Sequence, residues 1–174
     1  VRQLGKSFMG RRVRKTYWAL VAPAPDREDG QIQAALIKAS GPHKDKMIID
    51  PENGKPAVTD FVVLERAHKQ AAFVAFWPRT GRIHAAEALN CGIIGDGKYT
   101  RTIDKQNYEE NIIELDALEL ADRLHLHARR LVIEHPKTGQ TLDINAPLPD
   151  DLVQSWKTLG FDPDYPHDPF NDEE

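Results

Sequence analysis

The spacing of hydrophobic positions changes several times along the chain, and each change marks an element. Leu4 and Phe8 lie one helical turn apart with Gly10 just beyond, which predicts the end of a helix over residues 2–11. Lys15 to Val21 is rich in Tyr, Trp and Val and predicts a strand. Pro23 to Gly30 reads as a turn region, and Ile32 to Ile37 as a short strand. Ser40 to Pro56 is polar and broken by Gly41-Pro42 and Pro51-Glu52-Asn53-Gly54, so a loop is expected there. The clearest pattern is Thr59 to Arg66 and Ala71 to Trp77, β-rich runs split by His68-Lys69-Gln70, which predicts an antiparallel hairpin.

Ala85 to Asn90 is helix-prone and ends at Cys91-Gly92. Tyr99 to Glu114 is polar and irregular. Leu124 to Glu134 and Thr141 to Ile144 predict a second pair of strands around the turn Pro136-Lys137-Thr138-Gly139. Asp150 is placed to cap a last helix, on which Leu152, Val153, Trp156 and Leu159 share a face, with Gly160 past its end. The acidic, proline-rich stretch after Pro163 is expected to be extended or weakly ordered. Hairpins with helices between them predict an α+β fold on a largely antiparallel sheet. The expected organisation is one domain over residues 1–160 and an acidic tail over 161–174.

Composition adds bounds. The chain has 174 residues, about one domain, with 40% hydrophobic and 29% charged residues, which suits a folded globular protein. No apolar run approaches the roughly 18 residues of a membrane span. Cys91 is the single cysteine, which excludes an internal disulfide and fits a reducing, cytoplasmic setting. No secretory leader is visible, and a start at Val1 rather than Met is compatible with a lost N-terminus. The net charge of -4 hides an asymmetry. The first fifteen residues carry Arg2, Lys6, Arg11, Arg12, Arg14 and Lys15 and no acid, whereas residues 162–174 carry only acids among their charged groups. The basic start could meet phosphates, although a charge run is more often a solvated face.

Several segments carry chemistry, and they occur in a telling order. They are Arg14-Lys15-Thr16-Tyr17-Trp18-Ala19-Leu20-Val21, Ala57-Val58-Thr59-Asp60-Phe61 with Leu64-Glu65-Arg66, and Pro78-Arg79-Thr80-Gly81-Arg82. Then come Ile94-Gly95-Asp96-Gly97-Lys98-Tyr99 and Leu124-His125-Leu126-His127-Ala128, followed by His135-Pro136-Lys137-Thr138-Gly139. From Leu4 to Leu152 this series resembles the RluA-type RNA pseudouridine synthases. The resemblance implies a mixed, mainly antiparallel sheet with flanking helices and a central RNA cleft. It implies an isomerase that detaches uracil from its ribose, rotates it and rejoins it through carbon, without cofactor or metal. The implied partner is RNA, with structured ribosomal RNA of the large subunit as the expected target and no membrane involved. The base must leave the RNA stack to react, which favours loops and bulges. In the family an aspartate attacks or deprotonates the sugar, a basic residue keeps that aspartate ionised, and a tyrosine packs against the uracil and can move a proton.

Carried onto this sequence, the resemblance makes Tyr17 the family tyrosine and Arg82 a motif arginine. The residues alone favour an ordinary strand tyrosine, half buried with a wet hydroxyl, and only the resemblance turns Tyr17 to the active-site role. Arg12, Arg14, Lys15, His84, Lys98, His125 and Leu126 are expected on the RNA side or beside the active site. Two departures stand out. The family aspartate lies in a His-Arg-Leu-Asp-x-x-Thr-Ser-Gly segment, which does not occur here. Asp60 and Asp96 do not match its position; Asp60 reads as a strand decoration and Asp96 as part of a turn. The family arginine pattern is Thr-Gly-Arg-Thr-His-Gln-(Ile/Leu)-Arg-(Val/Ile)-His, whereas this chain runs Thr80-Gly81-Arg82-Ile83-His84-Ala85-Ala86-Glu87. That string is the pattern with a contiguous run removed. Either residues are omitted between Arg82 and Ile83, or the protein carries a real deletion. The missing aspartate segment favours omission.

His125, His127 and His135 invite a metal site, which a His-rich hydrolase would need, yet the family uses this stretch without metal. Gly95-Asp96-Gly97-Lys98 lacks the spacing of a nucleotide loop and reads as a turn. Trp18 and Trp77 are expected in the core. A non-catalytic RNA-binding relative is the main competing function.

Overall fold

In the computed structural model, residues 13–38, 47–80, 89–96 and 118–171 are described. They form one sheet: β1 (Arg14–Ala22), β2 (Asp29–Lys38), β3 (Met47–Ile49), β4 (Lys55–Ala67), β5 (Ala71–Pro78), β6 (Gly92–Ile93), β7 (Leu126–Glu134) and β8 (Thr141–Asn145). One helix, α1 (Asp150–Thr158), follows. The strand order is β3-β2-β4-β5-β1-β7-β8, with β6 paired to β1. Every pairing is antiparallel. The fold is the expected α+β arrangement on a mainly antiparallel sheet.

Both predicted hairpins form, β4 with β5 and β7 with β8. Strand β5 is buried at every position, which its unbroken run Ala-Ala-Phe-Val-Ala-Phe-Trp requires at the middle of the sheet. Two expectations fall short. The stretch read as loop over Ser40 to Pro56 contains β3 and the start of β4, because Leu36, Ile37 and Lys38 recruit Ile49, Ile48 and Met47 as cross-strand partners. Asp150 does not cap α1: Pro149 is the N-cap and provides no side-chain bond, while Asp150 and Asp151 lie in the first turn. Acids there still favour the positive end of the helix dipole. Gly160 does close the helix, at φ +80°, a conformation that glycine adopts without strain.

Alternation along β1 feeds two cores. Ala19 and Val21 pack with Val74, Phe76, Phe61 and Ile93 on one face, and Tyr17 lies against this cluster. Trp18 and Leu20 pack with Phe73, Ala75 and Trp77 on the other, beneath Leu152 and Trp156 of α1. Trp18 and Trp77 are core residues, as expected.

The acidic segment after α1 corrects its prediction. Phe161 and Phe170 are buried, Phe170 lies 5.7 Å from the Trp77 ring, and Tyr165 meets Phe73 edge-on at 5.9 Å. Asp168 pairs with Arg130 at 2.7 Å, and the Arg14 guanidinium donates to the Phe170 carbonyl at 2.8 Å. Composition treats the acids as solvated. The folded sheet presents arginines and an apolar face at the same place, and the segment docks there. Among the described residues no helix is long and apolar enough to cross a membrane.

Candidate active site

Tyr17 and Lys15 sit on the same face of β1, between β5 and β7. Register sets Tyr17 opposite Phe76 on β5 and Ala128 on β7. A β-bulge interrupts the β1–β7 ladder between Thr16 and Tyr17: Thr16 pairs with Arg130 but Tyr17 with Ala128, leaving Arg129 as the extra residue. Bulges re-aim side chains, and this one lies at the floor of a hollow. The hollow, about 270 Å³, is lined by Lys15, Tyr17, Ala128, Arg129, Arg130, Leu131, Ile144 and Ala146. Its surface is mainly apolar: Arg130 turns its guanidinium to Asp143 and Asp168 and Arg129 lies over the Trp18 ring, so Lys15 and Tyr17 are the polar side chains beside each other on this face. That suits a flat ring bearing polar edges on an anionic backbone.

Tyr17 is half buried, and burial pushes its hydroxyl above the usual tyrosine value. It therefore stays protonated at neutral pH. Leu126 pairs with Ala19, diagonal to Tyr17 on the same face, and packs against the same cluster. Among the described residues no three His, Cys, Asp or Glu side chains gather as metal ligands.

The model of the RNA pseudouridylate synthase family matches residues 1–86. An uncharacterised RNA pseudouridine synthase of Zymomonas mobilis is 33% identical over 165 residues, covering 92% of this chain and 66% of that protein. The dual-specificity RNA pseudouridine synthase RluA of Escherichia coli K12 is 33% identical over 150 residues, covering 84% of this chain and 62% of the relative. The chain belongs to the RluA-type RNA pseudouridine synthases. The human RNA pseudouridylate synthase domain containing 1 shares the fold at a TM-score of 0.64, with 28% identity, covering 85% of this chain and 60% of that one. The human RNA pseudouridylate synthase domain containing 4 gives the same TM-score, 0.64, at 24% identity, covering 91% of this chain and 66% of that one. The chain thus spans between 60% and 66% of the length of these relatives.

Within this chain the sequence-predicted residues separate. Lys15, Tyr17 and Leu126 come together on one face. Arg14 does not: its guanidinium lies on the opposite face, bonded to Phe170 and 5.6 Å from the Trp77 ring. The alternation of β1 forces this, since neighbouring residues point to opposite faces. His125 is also turned away from the Tyr17 face, toward the helix. It is 1% exposed and its ring meets the Ile94 carbonyl at 3.1 Å and Ser155 Oγ at 3.0 Å. His127 contacts the Ala146 carbonyl at 3.0 Å. Arg12, Arg82, Ile83, His84 and Lys98 lie outside the described residues, so the expected break at Arg82 is outside them too.

Asp60 is more than a strand decoration. It is 9% exposed, accepts from Gln31 Nε2 at 2.8 Å and forms an ion pair with Arg79, whose guanidinium lies 3.4 Å from the Trp77 ring. Asp96 does belong to a turn: its N–H donates to the Ile93 carbonyl at 3.1 Å. Gly95 beside it, at φ +81°, passes so close to Arg123 that a Cβ would lie 2.0 Å from that carbonyl oxygen. Ser155 is the residue that sequence reading missed. The available signal was a serine next to Trp156, inside the apolar stripe of the last helix.

Proposed function

We propose that this protein isomerises uridine to pseudouridine in structured RNA, with large-subunit ribosomal RNA as the target and the cytoplasm as its place of action. The observation that carries the reading is Tyr17, half buried and lining an apolar hollow beside Lys15, in a Lys-x-Tyr-x-Ala strand like that of the family. In this reading a flipped uracil packs on Tyr17 and against the apolar walls. Lys15 meets the phosphate or sugar of the same nucleotide. The protonated Tyr17 hydroxyl serves proton transfer as the base is turned and its C5 proton leaves. Arg82 is the candidate for the basic residue that, in the family, keeps the catalytic aspartate ionised. No cofactor or metal takes part.

The aspartate pattern of the family is not among the 174 residues. The second reading is a non-catalytic RNA-binding relative acting in ribosome assembly. Tritium release from RNA labelled at uridine C5 separates the two. Release that falls in Tyr17→Phe supports the isomerase. RNA binding with no release, in a chain confirmed by intact mass, supports the binding protein. Release that survives Tyr17→Phe undiminished removes Tyr17 from the mechanism.

A further inference from the structure

Strands β6 and β7 pair with the same edge of β1, one after the other, and His125 stitches the join. Its backbone N–H donates to the Ile94 carbonyl at 2.9 Å, and its carbonyl accepts from the Leu20 N–H at 3.1 Å. The ring adds a third link. Nδ1 faces the same Ile94 carbonyl, which can only accept, so Nδ1 carries the hydrogen. Burial holds the imidazole neutral, so Nε2 has a lone pair to offer. Ser155 Oγ, fully buried on α1, lies 3.0 Å from Nε2 and supplies the matching hydrogen. The Ala121 N–H donates to that same oxygen at 2.9 Å. Donor and acceptor are thus matched from Ala121 through Ser155 and His125 to Ile94. The Asp151 carbonyl, at 3.3 Å, is a longer and competing acceptor for the serine.

The residue after His125 is Leu126, the first of β7. With His125 held by its backbone on one side and its ring on the other, Leu126 has little freedom to turn. It is opposite Ala19 and diagonal to Tyr17, at the roughly 7 Å spacing of diagonal neighbours on one sheet face.

We propose that Ser155, acting through His125, is a positioning residue that fixes Leu126 beside Tyr17 and so sets how the Tyr17 ring lies at the edge of the hollow. The helix on one face of the sheet thereby shapes the site on the other. The catalytic part of this proposal rests on the pseudouridine synthase reading; the geometric part does not.

The test uses the full chain with Ser155→Ala, His125→Asn and both together. Asparagine keeps a donor near the Nδ1 position and loses the reach to Ser155. Both single variants should shift the Leu126 methyl and Tyr17 ring resonances. Each should lower kcat for tritium release by roughly tenfold at unchanged KM, the scale of a small misplacement near reacting groups. The double variant should be no worse than either single one, because one chain of contacts is being cut twice. Additive losses would overturn the proposal. So would Leu126 and Tyr17 resonances that stay in place while only the melting temperature falls. If the wild-type chain releases no tritium but the resonances move as expected, the isomerase reading fails and the positioning role stands.

Discussion

The two faces of the sheet differ in how completely they are satisfied. On the α1 face, apolar groups meet apolar groups and arginines meet acids: Phe73 is ringed by Trp18, Trp156 and Tyr165, and Arg130 is held by Asp143 at 2.6 Å and Asp168 at 2.7 Å. On the other face, the same strand β1 presents Tyr17 and Lys15 to a hollow whose apolar walls include Ile144, which is 51% exposed. The contrast teaches where a ligand belongs. Among the described residues the α1 face has matched most of its groups, with Arg14 Nε and Trp156 Nε1 the buried exceptions, and contributes rigidity, whereas the other face offers an apolar hollow with polar tips.

The largest effect expected is on the closed face. Trp156→Ala removes a fully buried indole packed at 5.4 Å from Phe73 and should cost about 4 kcal/mol of stability in urea unfolding. A small loss would mean that the face is less tightly closed than it looks. Next is the open face. Tyr17→Phe should lower kcat for tritium release by about 100-fold, or ~2.7 kcal/mol of barrier, with the melting temperature nearly unchanged. A large fall in melting temperature would instead assign Tyr17 to the core.

Arg130→Ala should cost about 2 kcal/mol, since it strands Asp168, whose side chain is only 12% exposed. It should also release the segment around Phe170, readable as faster proteolysis after α1. A smaller effect concerns pH. Burial lowers the His125 value in the folded state, and hydrogen bonds to the Ile94 and Arg123 backbone offset it only in part. As pH falls through about 6.5, the unfolded chain takes up a proton that the folded one resists, so stability is lost on the acid side. His125→Asn should flatten that slope relative to wild type. Asp143 behaves differently. Its hydrogen bond to Arg130 depresses it, so its contribution persists through this range and fades only below the ordinary carboxylate value. Smallest of all, Ile144→Ser should change stability by less than ~0.5 kcal/mol while weakening RNA binding.

Much of this was legible in the chain. Tyr17 could be placed because β1 combines a β-rich run with the family pattern, and the β4–β5 hairpin because apolar runs flank a polar triplet. Arg14 and His125 could not be assigned to a face. Arg14 lies in a basic run, and charge alone does not say which face a strand residue takes. His125 lies beside Leu126 and His127 in a string that reads as a motif, yet its role depends on Ser155, thirty positions away. The acidic segment looked solvated because its partners, Arg14 and Arg130, are equally remote in sequence.

The sequence by itself determined the family, the two hairpins, the last helix and the candidate tyrosine, because these depend on local periodicity and on short motifs. The tertiary structure alone decided which of those residues share a face, that the acidic segment closes one side of the sheet, and that a serine on a helix reaches a histidine beside the site. Those outcomes depend on register, on one bulge and on pairings between distant residues, none of which is written in the spacing of neighbours.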